Sequence, residues 1–240
     1  MFTTLIVQPL YNLLVASYNF LGHDLGFAIL ALTVLLRIVL YPLAQAAMKS
    51  QLALQEIQPK LKALQEQHRE NREALARATM SLYREHKVNP FSSCLPVLIQ
   101  LPFFIGIYMA LQRALHGSSF ELLYPFVAHP GTLNGVAFGF LPLASPSIPL
   151  AVIAAIAQWW QARMLVTRRP PPAAATRSGK DEDMLALMNK QMTVLMPIMT
   201  AVIGATLPSG LSLYWLVSTV LQGLQQRWLF QKQQSKPAAS

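Results

Sequence analysis

Charge is what this chain has least of. Only 12% of its 240 residues are Asp, Glu, Lys or Arg, and the 10 acidic residues are outnumbered by 19 basic ones. Soluble domains run near 25% charged. Here 53% of residues are hydrophobic and the mean hydropathy is +0.37, which excludes an ordinary soluble class and divides the chain into bilayer-length segments of roughly 20 residues. Cysteine is equally scarce. Cys94 stands alone, so no internal disulfide can form. The five histidines are scattered, with neither an HExxH pattern nor Cys/His zinc spacing, so no metal and no other cofactor is expected. Walker A, Rossmann and GxSxG signatures are missing, so no enzymatic chemistry is assigned. The net charge of +9 would suit nucleic acid, but it clusters between apolar runs. That is the pattern of membrane topology, and sequence-specific nucleic acid is not an expected partner.

What is present reads in chain order. Residues 1–22 hold no Lys or Arg, so they lack the basic start of a secretory signal. Ile6, Leu10, Leu13, Leu14 and Tyr18 recur at helical spacing, with Gln8, Asn12 and Asn19 elsewhere, which predicts an amphipathic helix in the membrane interface. A short extra span or an uncleaved signal anchor is the alternative. Residues 23–47 form a first transmembrane helix. Residues 48–90 are polar, with thin apolar stripes at Leu52, Leu54, Ile57, Leu61 and Leu64 and again at Leu75, Leu82 and Tyr83. The polar HRENRE between them makes a turn, so the segment reads as a helical hairpin outside the bilayer. Four more spans follow at 91–115, 148–166, 191–207 and 208–230, separated by a loop at 116–147, a polar loop at 167–190 and the tight turn around Pro208, and followed by a tail at 231–240.

Basic residues set the orientation. Lys49, Lys60, Lys62, Arg69, Arg72, Arg77, Arg84 and Lys87 lie in 48–90, and Arg168, Arg169, Arg177, Lys180 and Lys190 in the second polar loop. The connections 116–147 and 208–210 have none. The expected multi-pass protein therefore has its N-terminus outside and its C-terminus in the cytoplasm.

One residue breaks the apolar pattern. Arg37 lies 13 residues after Asp24 and 12 before Lys49, roughly 18 Å from either polar boundary of a straight helix. A charge at that depth costs between about 2.5 and 17 kcal/mol. Apart from Asp24 at the outer edge, no Asp or Glu occurs in any span, so an ion pair is not on offer. A hydrated cavity lined by neutral dipoles is the better reading, and structural snorkelling the alternative. Candidate lining residues are Thr33, Tyr41 and Gln45 on the first span, Gln100 on the second, Gln158 and Gln161 on the third, Thr193 and Thr200 on the fourth. The last span adds Ser212, Trp215, Thr219, Gln222 and Gln226. Ile29 and Val220 are expected to face lipid, and the apolar residues near Leu25 and Phe140 to seal the outer end.

In chain order, TVLLR (33–37), YPL (41–43), SLYREHKVNP (81–90), CLPVLIQLP (94–102), Met196–Pro197 and LPSGLSLYW (207–215) resemble the YidC family of membrane protein insertases, relatives of the Oxa and Alb proteins. The resemblance runs from about residue 5 to 230. It implies an all-α integral membrane protein with five transmembrane helices around a hydrophilic groove, open to cytoplasm and lipid, with an N-terminal interfacial helix and a cytoplasmic hairpin. By the same resemblance Arg37 is the groove arginine and Gln161 and Trp215 line the groove; Thr33, Gln158 and Thr219, from the polar pattern of the spans, complete the expected groove set. The hairpin carries Lys60, Lys62, Arg69 and Arg72 towards partners. The implied function is insertion of nascent membrane proteins into the lipid bilayer of the bacterial plasma membrane, with no catalytic residue and no cofactor. Lipids are partners, and the ribosome and a Sec translocon are further candidates. The expected form is a short one, without the large periplasmic domain and with only Lys232 and Lys236 in the tail. A small-solute transporter or channel with Arg37 as anion counter-charge is the alternative function, although no internal repeat supports it. A structural assembly factor acting through the hairpin would leave Arg37 unexplained.

Overall fold

The computed structural model describes residues 1–68, 71–89, 95–116, 120–166 and 191–234. Arg69, Cys94, the loop 167–190 and the end of the tail lie outside them, as does the side chain of Lys62. The described chain is mostly helical. A π-helical turn at Thr3–Val7 runs into α1 (Gln8–Phe20), followed by α2 (Leu25–Val39), α3 (Tyr41–Glu56), α4 (Gln58–Gln67), α5 (Arg72–Glu85), α6 (Leu95–His116) and α7 (Ile148–Val166). A second π-helical turn, Gln191–Leu195, leads into α8 (Met196–Thr206), and α9 (Ser209–Gln234) is the longest helix. The all-α expectation misses one small feature. Val136–Ala137 (β1) pairs antiparallel with Leu141–Pro142 (β2). Phe138 and Gly139 turn the hairpin with positive φ at both positions, the mark of a primed turn.

The first span is not one straight helix. α2 and α3 meet at Leu40 and are bent by 64°. Thr33 and Arg37 therefore do not continue as one face into Tyr41 and Gln45. Beyond the bend each residue advances only about 0.7 Å along the axis of α2, against 1.5 Å before it. Arg37 is thus nearer the polar end of its helix pair than the straight-helix count implies. α3 also runs on past Met48, so the expected boundary between span and hairpin falls inside a helix.

By length and composition, Leu98–Leu115 in α6 is apolar enough to cross a bilayer alone, and the bent pair α2–α3 passes together. α8 belongs to a shorter apolar helix, Thr193–Thr206. α7 and α9 have the length, but polar residues dilute their hydropathy. α7 carries Gln158, Gln161 and Arg163, and α9 carries Gln222, Gln225, Gln226 and Arg227.

The helices pack as two groups, α1–α2–α6 and α7–α8–α9, joined where α2 lies on α9. Small residues permit the close approach, as membrane helices commonly require. At Gly204 an added Cβ would sit 3.1 Å from Ala151 Cβ, and Ser212 Oγ donates to Gly204 O at 3.1 Å. The main core gathers Leu10, Leu14, Leu25, Ile29, Leu32, Ile107 and Leu211, all buried. A smaller cluster of Met48, Leu52, Leu229 and Phe230 fastens α3 to the far end of α9.

α1 buries one face and leaves Pro9, Ala16 and Phe20 exposed on the other. Leu10, Tyr11, Leu14, Val15 and Tyr18 are buried in the main core. Its polar residues serve the segment 120–134 rather than water. Asn12 Nδ2 donates to Leu122 O at 2.7 Å, and Asn12 Oδ1 accepts from Tyr124 N at 2.6 Å. Asn19 Nδ2 donates to Ala128 O at 2.7 Å. Asp24 does similar work at the start of α2. One carboxylate oxygen caps the helix by accepting from Gly26 N at 2.7 Å, and the other accepts from Phe138 N at 2.6 Å. The α8–α9 turn joins the same end, with Ser209 N donating to Ser145 O at 2.9 Å and Gly210 N to Leu143 O at 3.1 Å. Near Phe140, itself 76% exposed, Ala137 and Leu143 are fully buried, as is Leu25. One expectation changes here: Ile29 does not face lipid but is fully buried in the core, where α1 and the Gly210 turn cover it.

Candidate functional site

Arg37 lies in the last turn of α2, half-buried, three residues before the bend. Its Nη2 donates to Ser218 O and Ser218 Oγ, each at 2.7 Å, and to Gln222 Oε1 at 3.0 Å. Among the described residues no carboxylate stands within ion-pair distance of it. The neutral dipoles expected around this charge are therefore the carbonyl, hydroxyl and amide of one turn of α9.

Beside Arg37 an open pocket of about 530 Å³ lies between α2–α3 and α9. Its walls are Val34, Ile38, Tyr41, Leu221, Gln225 and Trp228. The pocket is mainly apolar with a single cation at its edge. It suits a ligand that is greasy along most of its length and negative at one point. Lys232 lies 5.2 Å from the Trp228 ring, a cation over an aromatic face.

The other expected groove residues are dispersed through the packing. Thr33 is fully buried, and its hydroxyl donates back to Ile29 O at 2.6 Å within α2. Thr219 Oγ1 donates to Gln158 Oε1 at 3.4 Å, bridging α9 and α7. Gln161 is buried on α7. Trp215 meets Phe104 of α6 edge-on, with ring centroids 5.3 Å apart. Gln100 Nε2 donates to Tyr214 Oη, tying α6 to α9. Of the six expected groove residues, only Arg37 lines the open pocket. Reading Ser212, Trp215, Thr219, Gln222 and Gln226 as one face of α9 finds Gln222 but misses Ser218, Leu221, Gln225 and Trp228. The i, i+4 spacing of Ser218 and Gln222 was the available signal.

The hairpin forms as two helices. Asn71 caps α5 by accepting from Ala74 N at 3.0 Å. Lys60 Nζ lies 3.0 Å from His86 Nε2, linking α4 to the end of α5. Lys60 and Arg72 are exposed.

These features describe a mostly helical chain with apolar segments of membrane-spanning length and a cation beside an open pocket. The description "60Kd inner membrane protein" matches residues 16–236, and the chain belongs to that family. It is 33% identical over 226 residues to the membrane protein insertase YidC of Geobacter metallireducens, covering 94% of this chain and 37% of that protein. It is 32% identical over 228 residues to the namesake from Nitratidesulfovibrio vulgaris, covering 95% and 39%. With the Aeromonas salmonicida protein it shares 32% over 232 residues, covering 96% and 37%. The chain thus spans less than two fifths of the length of these relatives. Among solved structures, an active YidC insertase with its first transmembrane domain resolved matches with a TM-score of 0.56 and 25% identity, over 86% of this chain and 42% of that one.

Proposed function

We propose that this chain is a membrane protein insertase whose clients are nascent membrane proteins. The observation that carries the reading is Arg37, a cation held by neutral acceptors at the edge of an open apolar pocket. In this reading α2–α3, α6, α7, α8 and α9 are five spans, with the N-terminus outside and the loops 48–90 and 167–190 in the cytoplasm. Arg37 then lies on the cytoplasmic side of the sealed outer end. Thr33, Gln158, Gln161, Trp215 and Thr219 form the packed wall behind the opening.

The work is a matter of partitioning. A nascent span must bring a polar tail across hydrocarbon, and each unpaired polar group in that path costs several kcal/mol on order-of-magnitude scales. A polar recess part-way through the bilayer shortens the path. Arg37 attracts acidic residues of the tail, and the low dielectric strengthens the attraction. The client's apolar part meets Val34, Ile38, Leu221 and Trp228 and passes sideways into lipid. Burial there drives release without nucleotide. Lys60, Lys62, Arg69 and Arg72 supply the positive charge with which this segment would meet a ribosome or a Sec translocon.

The test is reconstitution. Purified protein in liposomes should insert a small single-span client with an acidic translocated tail. Insertion no faster than in protein-free liposomes would refute the proposal.

A further inference from the structure

Among the described residues, the three hydrogen bonds to Arg37 converge on one nitrogen. Ser218 O, Ser218 Oγ and Gln222 Oε1 surround Nη2 at 2.7, 2.7 and 3.0 Å, and none of them engages Nε or Nη1. The acceptors come from two residues four apart, which share one face of α9. All are neutral. A carboxylate in their place would satisfy the guanidinium too, but it would also cancel the charge that a ligand feels. Dipoles offset the desolvation of the cation and leave its net charge intact. Position is fixed by the same contacts. Arg37 stands three residues before the 64° bend at Leu40, where a long side chain at a helix end would otherwise swing between the core and the pocket.

From this arrangement we infer that Ser218 and Gln222 are positioning residues, holding the Arg37 guanidinium against α9 with neutral acceptors so that its full charge faces an acidic segment in the pocket. The inference rests on Arg37 acting as the attractor of acidic tails, yet the holding itself can be measured without a client.

The first arm is a thermal cycle on the full chain in nanodiscs, using Gln222→Leu, Arg37→Met and the pair. With Arg37 present, Gln222→Leu leaves part of the guanidinium unsatisfied and lowers the midpoint by several degrees. In the Arg37→Met background the same change costs much less. Equal shifts in both backgrounds would overturn the inference. Gln222→Glu should melt at or above the wild type, because a carboxylate then meets Nη2, and a lower midpoint would count against the geometry. The second arm uses proteoliposomes and matched single-span clients whose tails differ only in Asp against Asn. Gln222→Glu should reduce the ratio of acidic to neutral insertion about tenfold, since its carboxylate competes for the cation at hydrogen-bond range. An unchanged ratio would overturn the inference. If the wild type itself shows no preference for acidic tails, the attractor reading of Arg37 fails, and the thermal cycle still decides whether Gln222 holds it.

Discussion

At one end of the bundle, Asn12, Asp24 and the Ser209–Gly210 turn tie α1, α2 and α9 to the segment 120–147. At the other, α2 breaks at Leu40 and leaves a pocket between itself and α9. Both ends are built from apolar helices with a few polar side chains. The difference is where those side chains spend their hydrogen bonds. Asn12 and Asp24 each meet backbone groups across a gap of more than 100 residues, closing the chain on itself. Arg37 meets neutral acceptors and keeps its charge. Under the proposed function, the tied end would be the sealed one and the pocket end the open one.

The largest effect expected anywhere is at the open end. Arg37→Ala should cut insertion of acidic-tailed clients about tenfold or more, because the loss of a cation in a low-dielectric recess is worth several kcal/mol. Arg37→Lys should keep more activity. The contacts converge on one nitrogen and make no bidentate fork, so a compact ammonium can use them. Equal insertion by wild type and Arg37→Ala, across several acidic clients, would remove the functional half of the comparison.

Next come the ties at the sealed end. Asn12→Leu strips three hydrogen bonds from a side chain only 3% exposed. It leaves Tyr124 N without its acceptor, and the cost should be about 2–3 kcal/mol. Asp24→Ala removes the cap of α2 and should cost about 1–2 kcal/mol, with the lost Phe138 contact in addition. Gly26 guards the same junction, since a Cβ there would come within 2.6 Å of Ala137 Cβ and 2.7 Å of Phe138 Cζ. Midpoints in nanodiscs measure all of these. Variants at this end should lose stability and leave the preference for acidic tails unchanged, the opposite of Arg37→Ala.

How much of this was legible beforehand depends on the scale of the signal. Apolar runs, the polar hairpin and the anomaly of Arg37 are composition, and composition is local. The family follows from motifs such as LPSGLSLYW. The bend at Leu40 had one legible signal, Pro42, which in a continuous helix could not donate to Ile38 O and so favours a break just before it; an unbroken span over 23–47 passes over that signal. The hydrogen bonds from α1 to the segment 120–134 were not legible. A periodic apolar stripe with Asn and Gln opposite looks the same whether the polar face meets water or the backbone of a loop more than 100 residues away. Ser218 carries no charge, and its only mark in the sequence is the i, i+4 spacing to Gln222, one residue out of step with the polar face read through Thr219.

Accessibility sharpens the comparison in smaller steps. In a Cys94→Ser background, Tyr41→Cys and Gln225→Cys line the pocket and should react with a membrane-impermeant thiol reagent from the cytoplasmic side. Ile29→Cys and Thr33→Cys, both fully buried, should react at least about tenfold more slowly. Val202→Cys, exposed on α8 but away from the pocket, should meet lipid and be slow as well. If Tyr41→Cys and Gln225→Cys are as unreactive as Ile29→Cys, the open end is not hydrated.

The smallest effects belong to the hairpin, outside both ends. Glu73 and Arg77 form an i, i+4 pair at 3.7 Å on α5, with side chains 85% and 80% exposed. Water screens such a pair, and its net worth is about 0.3–0.5 kcal/mol. Arg77→Gln should therefore change the local stability of α5 by no more than that, read as amide exchange from 75 to 85. Glu73→Gln should cost slightly more, because Glu73 sits in the first turn beside the positive end of the helix and loses that interaction too. Added salt should erase most of both differences, since exposed charges are screened within a Debye length of about 8–10 Å. A larger loss for Arg77→Gln than for Glu73→Gln, or a loss that survives salt, would mean that Arg77 holds the hairpin to something other than Glu73.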